Sequence, residues 1–320
     1  MEGIPGGIAG WVIGRFVLVV VGFVIVRFQI CPSVASGSWR RLDGGKCYNP
    51  PMHIVLLRVA LALYSIGLLH SVVTVLSKRY TLVRASLVAF VVGFACHVVA
   101  IVLRAGELNA MPLTQRYESF SLLAVLAALG YLVTYARYRI ASLSVFVFPV
   151  VFLLTFIAVV AYDPGGALPL ALESNWIYIH TPLIFLGYAA LSISFAGSLM
   201  YLMQERSLKS KHRSSFYHRL PALEVCDELA YRALSIGFPL MTLGILSGAL
   251  WAQSVSGSFW GTDLTIILSL FTWFIYLLLI YYRLITGWRG KRAAYLAVAG
   301  FIGVLVSALG AGFLGGLHSF

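Results

Sequence analysis

Residues 83–103 read VRASLVAFVVGFACHVVAIVL, and Arg84, near the start, is the one residue of this run that is charged at neutral pH. A membrane-spanning helix needs about 20 predominantly apolar residues to cross the hydrocarbon layer. The run shows no strand-like alternation of apolar and polar residues, and helices and closed barrels are the only structures that span a bilayer. The stretch therefore predicts a transmembrane helix.

Similar stretches fill most of the chain. Seven more meet or approach the required length, at 54–76, 118–136, 141–162, 176–203, 233–251, 264–282 and 294–314. Of the 320 residues, 60% are hydrophobic and 11% are charged, whereas a soluble domain carries about 25% charged residues. This composition excludes a disordered chain, a secreted disulfide scaffold and an ordinary cytosolic enzyme. We expect an all-α, polytopic transmembrane bundle with eight core spans.

The positions of the basic residues predict the orientation of the spans. From residue 52 onward, fifteen Lys and Arg residues fall on one side and three, Arg58, Arg104 and Arg116, on the other. Because Lys and Arg concentrate in cytoplasmic loops, the segments 105–117, 163–175 and 252–263 and the C-terminus are predicted to be outside. We call the helix ends on that side the predicted outer ends, and the opposite ends the predicted inner ends.

The net charge of +12 is explained by these cytoplasmic segments, so no nucleic-acid partner is expected. The longest of them, 204–232, is predicted to be a solvated connector that holds a short helix. The four cysteines form no CxxC or other metal-binding spacing, which indicates neither a zinc site nor a CxxC redox site.

Residues 1–51 form an uncertain N-terminal extension to a main transmembrane domain at 52–320. A ninth apolar stretch, 8–29, would leave three basic residues outside if it crossed the membrane. Two explanations are open. Either Met52 is the true start of the protein, or 8–29 is an extra span with Cys31 and Cys47 paired in an oxidising compartment.

Histidines at membrane depth are candidates for function, since ionisable groups there are costly. His180 and His318 both fall on the predicted outer side, where two imidazoles are able to ligate a haem iron. The alternative is that each anchors a helix end at the interface. His97, in the outer half of its span, fits either a hydrogen-bonded core residue or a ligand. His53 lies near a loop and is expected to be solvated.

The predicted outer loop at 251–263 reads WAQSVSGSFWGTD, with one acidic residue and no basic residue. Trp251 and Trp260 fit either an aromatic platform for a flat macrocycle or the ordinary aromatic belt of a membrane interface. Asp263 is a candidate to hydrogen-bond a ligand or a histidine N–H.

A second predicted outer segment, 104–119, contains two arginines. Arg104 and Arg116 suit forked hydrogen bonds to carboxylates such as haem propionates. Glu118 is the alternative carboxylate partner for either of them.

Four groups of residues, in this order along the chain, resemble the cytochrome c assembly protein family of the CcsA/ResC type, whose relatives include the HemX-like proteins. They are His97 with Arg104, Gly106, Pro112 and Tyr117-Glu118-Ser119; His180 with Gly187-Tyr188-Ala189-Ala190; Gly248-Ala249-Leu250-Trp251-Ala252 with Gly257-Ser258-Phe259-Trp260 and Asp263; and Gly316-Leu317-His318-Ser319-Phe320, preceded by Gly287-Trp288-Arg289-Gly290-Lys291-Arg292-Ala293-Ala294. Together they cover about residues 52–320.

The resemblance implies that the protein handles haem b as a transported or presented substrate. In this family a tryptophan-rich outer loop, the WWD domain, receives haem at the outer face between two histidine ligands, and an embedded histidine serves haem on its way across. The matching positions are Trp251, Trp260 and Asp263 for the WWD domain, His180 and His318 for the axial ligands of the iron, and His97 for the embedded histidine.

The resemblance also implies partners and a location. The chain would present haem to apocytochrome c together with a CcsB/ResB-type membrane protein, as a component of a cytochrome c synthase complex in the bacterial inner membrane. Two alternatives stay open. Ser256 and Thr262 stand where the family has tryptophan, which favours a HemX-like membrane regulator of haem biosynthesis, and the third candidate is a small-molecule permease without haem.

Overall fold

The structure, a computed structural model, describes residues 50–77, 81–113, 115–163, 176–209, 220–257 and 264–313. Within these ranges the regular structure is entirely helical. The helices are α1 (Met52–Ser77), α2 (Thr81–Leu108), α3 (Arg116–Tyr138), α4 (Ser144–Val160), α5 (Ile177–Lys209), α6 (Leu223–Ser256), α7 (Leu264–Ile285) and α8 (Lys291–Phe313), with a 3₁₀ turn at Ala141–Leu143. In this part of the chain eight helices are long and apolar enough to cross a membrane, which confirms the predicted polytopic helical bundle.

The eight helices correspond one to one to the eight predicted stretches. The position of the first residue differs by about ten residues for α6. This helix begins at Leu223 rather than near residue 233. Its first turns are polar, with Glu224 in the first turn and an ion pair of 2.6 Å between Glu228 and Arg232, so an apolar stretch does not reveal them. Long extensions of α5 and α6 therefore occupy both ends of the segment where a short helix was expected, and residues 210–219 lie outside the described residues.

The predicted extra span at 8–29 and the Cys31–Cys47 pair also lie outside the residues that the structure describes. Two prolines precede α1, and the carbonyl of Pro51 accepts hydrogen bonds from the backbone N–H groups of Ile54 and Val55. Proline suits the start of a helix because its missing N–H has no intrahelical partner there.

The helices form two groups of four. In the first group α1 packs against α2 and α4, while α3 packs against α4 and α2. In the second group α5 packs against α6 and α8, while α7 packs against α8 and α6. Contacts of α3 and α4 with α5 join the two groups.

Aromatic stacking and close approach of helices both occur in each group. In the first, the rings of Phe90 and Phe148 stack with centroids 4.0 Å apart, and the Tyr131 ring meets both edge-on. In the second, α5 and α6 approach so closely that a Cβ atom at Gly187 would lie 2.9 Å from the backbone nitrogen of Met241. Small residues permit such close contact between membrane helices.

Candidate functional site

The predicted outer ends of α5 and α6 bring His180 against the α6 backbone. His180 lies in the first turn of α5, where its N–H bonds to the carbonyl of Trp176 at 2.9 Å. Its Nδ1 atom lies 2.7 Å from the carbonyl oxygen of Gly244. Because a carbonyl only accepts hydrogen bonds, Nδ1 carries a proton and donates it, which in the neutral imidazole leaves the lone pair on Nε2.

Gly248, one turn further along α6, makes room for this imidazole. A Cβ atom at Gly248 would lie 2.7 Å from both Cε1 and Nδ1 of His180, which is closer than real Cβ contacts. The backbone of α6 therefore forms one wall of the His180 site, and that wall depends on the absence of a side chain at residue 248.

Trp251 forms the next wall. Its ring packs on the His180 ring with centroids 5.9 Å apart and planes at 24°, and the residue is only 2% exposed. The predicted outer loop thus begins later than expected, because α6 continues through Trp251 to Ser256. Gly257 ends the helix in the left-handed conformation, with φ of +73°, which glycine adopts without strain.

The remaining predicted members of this site, Trp260, Asp263 and His318, lie outside the described residues. Among the described residues, the structure brings together His180 and Trp251 of the predicted set. It adds Gly244 and Gly248. Gly244 was missed because a backbone carbonyl gives no chemical signal in the sequence, and Gly248 belonged to the third motif without a role in the site.

His97 lies elsewhere, among α1, α2 and α3. It is completely buried. Its Nε2 atom lies 2.8 Å from the Ser121 hydroxyl oxygen, and its Nδ1 atom lies 3.4 Å from the Tyr64 hydroxyl oxygen. Both ring nitrogens of His97 therefore lie near a hydroxyl group of a neighbouring helix, and its role as a ligand stays a prediction.

The prediction that His53 is solvated is wrong. His53 stands in the first turn of α1 and is 3% exposed. Its Nδ1 lies 2.9 Å from a carboxylate oxygen of Glu107, to which it donates, and its Nε2 lies 3.2 Å from the Tyr117 hydroxyl oxygen. The signal that was overlooked is that all three residues fall at the same predicted depth on neighbouring helices.

Arg104 belongs to the same polar cluster. Its Nε donates to the Glu118 carboxylate at 2.6 Å, and its Nη1 donates to Glu107 at 3.3 Å. The Glu118 side chain is 1% exposed, and its second oxygen accepts the backbone N–H of Gln115 at 3.0 Å. Of the two carboxylate partners left open for Arg104, the structure shows Glu118.

Comparison with known proteins gives a consistent result. A family model described as "Cytochrome C assembly protein" matches residues 113–318. The chain is 32% identical over 250 residues to the cytochrome c biogenesis protein CcsA of Guillardia theta, an alignment that covers 71% of this chain and 82% of the relative. It is 29% identical over 270 residues to the CcsA protein of Gloeobacter violaceus, covering 67% of this chain and 79% of that relative.

Proposed function

The chain belongs to the cytochrome c assembly protein family, and from this premise we propose that it binds haem b at the predicted outer ends of α5 and α6 and presents it to apocytochrome c. Membership of this family assigns the protein to cytochrome c biogenesis, and the eight apolar helices of its described residues make it a multi-pass membrane protein. Haem is the cargo of the proposed reaction.

The observation that carries the proposal is the fixed orientation of His180. Its Nδ1–H is held by the Gly244 carbonyl at 2.7 Å, so Nε2 is the nitrogen that offers a lone pair to iron. Hydrogen bonding of the second ring nitrogen is the usual way in which proteins set the tautomer and ring orientation of a metal-ligating histidine. The stacked Trp251 ring supplies an aromatic surface beside it.

The other proposed members of the site follow from the family resemblance. His318 is the second axial ligand of the iron, and Trp260 and Asp263 complete the WWD positions that begin with Trp251. His97 is the embedded histidine that serves haem on its way across. We treat residues 52–320 as the domain that carries this function.

The proposed partner is a CcsB/ResB-type membrane protein, with which the chain would form a cytochrome c synthase complex. The proposed location is the bacterial inner membrane, with the Trp-bearing loop and the C-terminus on the outer face. The fifteen basic residues on the opposite side support this orientation.

The first test is the absorbance spectrum of the detergent-purified protein together with a pyridine-haem assay. We expect a Soret band and about one haem per chain, in line with one pair of axial histidines. Absence of haem, even after haem supplementation during expression, would contradict the proposal. It would favour the HemX-like regulator or the permease.

The second test replaces the ligand itself. His180→Gly is expected to lose haem, and added imidazole is expected to restore part of it, because free imidazole is able to occupy the space of the missing ring. The matched control is His70→Gly, since Nδ1 of His70 bonds to the carbonyl of Ile66 in its own helix at 2.9 Å. Equal haem content in the two variants would remove His180 from the site.

A further inference from the structure

At the predicted inner end of the second helix group, one carboxylate joins three segments. Asp227 on α6 accepts two hydrogen bonds from the Arg283 guanidinium on α7, at 3.0 and 2.6 Å. It also accepts the backbone N–H of Gly290, in the turn between α7 and α8, at 3.1 Å. The Arg283 side chain is 8% exposed, and its guanidinium lies over the Tyr231 ring at 4.3 Å.

A small cavity adjoins this ion pair. Side chains from all four helices of the group line it. The polar ones include Ser194 and Ser198 on α5, Asp227 on α6 and Arg283 on α7, and the apolar ones include Leu234 on α6, Leu279 on α7 and Ala297 on α8. Its volume of about 10 Å³ leaves room for roughly one water molecule. We call it the inner cavity.

Ser194 is the unusual residue of this lining. It is completely buried, and its hydroxyl oxygen has no hydrogen-bond partner among the described residues. Two residues earlier on α5, Ser192 is also buried, but its hydroxyl bonds to the carbonyl of Ala189 in its own helix at 2.7 Å. A buried hydroxyl without a partner is destabilising, and such groups are rare in folded proteins.

A second cavity of the same volume serves as a comparison. It lies at the predicted outer ends of α1–α3 and is lined by His53, Arg104, Tyr117, Glu118 and Ser121. Each of these five polar residues hydrogen-bonds to another side chain. The polar lining of that cavity is satisfied by protein groups, whereas the inner cavity contains a hydroxyl that is not.

We propose that the inner cavity binds one water molecule, which bridges the Ser194 hydroxyl to the Asp227–Arg283 ion pair. Water is able to donate and accept at once, and a buried water needs two to four polar partners, which the hydroxyl, the guanidinium and the carboxylate provide. The water extends the polar contact from the predicted inner surface toward the middle of α5. This site is independent of haem binding.

The test is the sign of a stability change in Ser194→Ala. With a bridging water, the variant removes one of its partners, so the thermal unfolding midpoint of the detergent-solubilised protein falls. Without a water, the variant removes only an unpartnered hydroxyl, so the midpoint rises. Ser192→Ala is the matched control and is expected to change the midpoint less, since its hydroxyl bonds within its own helix.

Two further variants connect the water to the ion pair. Ser194→Val fills the inner cavity with methyl groups and is expected to lower the midpoint more than Ser194→Ala, because it displaces the water. In a protein that already carries Asp227→Asn, adding Ser194→Ala is expected to lower the thermal unfolding midpoint by less than it does in the wild type. A Ser194→Ala midpoint at or above that of the wild type, a Ser194→Val protein more stable than wild type, or fully additive shifts would each overturn the proposal.

Discussion

At the residue scale, three uncharged groups of the described residues fix the orientation of His180. The Gly244 carbonyl keeps the proton on Nδ1, Gly248 leaves space for the ring, and Trp251 packs against its face. A histidine held on three sides loses little rotational freedom when it binds a ligand. Under the proposed function, the side chain is therefore preorganised for haem.

This arrangement predicts that Gly248→Ala impairs haem binding although it removes no polar group. The new Cβ would displace the His180 ring and break its bond to Gly244, and disturbing such a supporting contact typically lowers metal affinity by about 10- to 100-fold. The measurement is haem per chain in the pyridine-haem assay.

The control for this variant is Gly130→Ala on α3, where the added Cβ would meet its nearest neighbour, Ile193, at an ordinary 3.7 Å. Unchanged haem content in Gly248→Ala would show that the α6 backbone does not position His180.

The ion pair between the partly buried Arg104 and the fully buried Glu118 carboxylate supports a second prediction at this scale. Arg104→Leu leaves the Glu118 carboxylate buried without its main cation, and removing one partner of a buried pair costs about 3–5 kcal/mol in the free energy of unfolding. Replacing both residues by leucine is expected to recover part of this loss, because no charge then remains buried.

Chemical unfolding in detergent would measure both variants. The control is Arg232→Leu, whose ion pair with Glu228 is about half exposed, so its loss is expected to have a smaller effect. A double leucine variant less stable than Arg104→Leu alone would contradict this account.

At the element scale, the sequence predicted the eight long helices of the described residues but not how these helices meet. Apolar length reveals a span, because the bilayer sets that length. Apolar length does not reveal the first turns of α6, because these are polar. It also does not reveal that α1 packs against α4, because that contact depends on how the side chains of the two helices fit together. The burial of His53 was missed because the apolar stretch was placed from residue 54, which left His53 in a loop. The helix begins at Met52, so His53 lies in its first turn and packs against neighbouring helices.

The close approach of α5 and α6 gives a prediction for the elements. In Gly187→Ala the new Cβ would lie 2.9 Å from the backbone nitrogen of Met241. Backbone atoms cannot move aside as a side chain can, so the helices must separate and lose packing contacts. We expect a lower thermal unfolding midpoint for Gly187→Ala, whereas the control Gly130→Ala stays near the wild type. Equal midpoints would mean that this interface tolerates separation.

At the scale of the whole molecule, the candidate site combines residues that the sequence predicted with contacts that the fold supplies. The four motifs predicted the family and a set of site residues, because charged, aromatic and histidine side chains leave a readable pattern. His180 and Trp251 then prove to be neighbours, on two helices whose contact no local pattern specifies. The arrangement of Trp260, Asp263 and His318 around them stays a prediction.

The orientation of the molecule is testable with reporter fusions. A reporter fused after His318 is expected to read as external, and one fused after Trp288, between α7 and α8, is expected to read as cytoplasmic, since basic residues cluster there. The pair controls for expression, because the two fusions differ by one span. A cytoplasmic signal from the His318 fusion would overturn both the orientation and the shared face of His180 and His318.

The Asp227 contacts have a consequence for biosynthesis. Arg283 follows Asp227 by 56 residues, so at a translation rate of roughly 5–20 residues per second the arginine emerges about 3–11 s after its partner. During this interval the Asp227 carboxylate has no Arg283 to neutralise it, and its place in the first turns of α6, at the membrane surface, allows it to remain hydrated. Once the α7–α8 hairpin has been inserted, the carboxylate receives the guanidinium and the Gly290 N–H together. Insertion of the α7–α8 hairpin is therefore the step that completes the contacts of Asp227 and joins α6 to this hairpin.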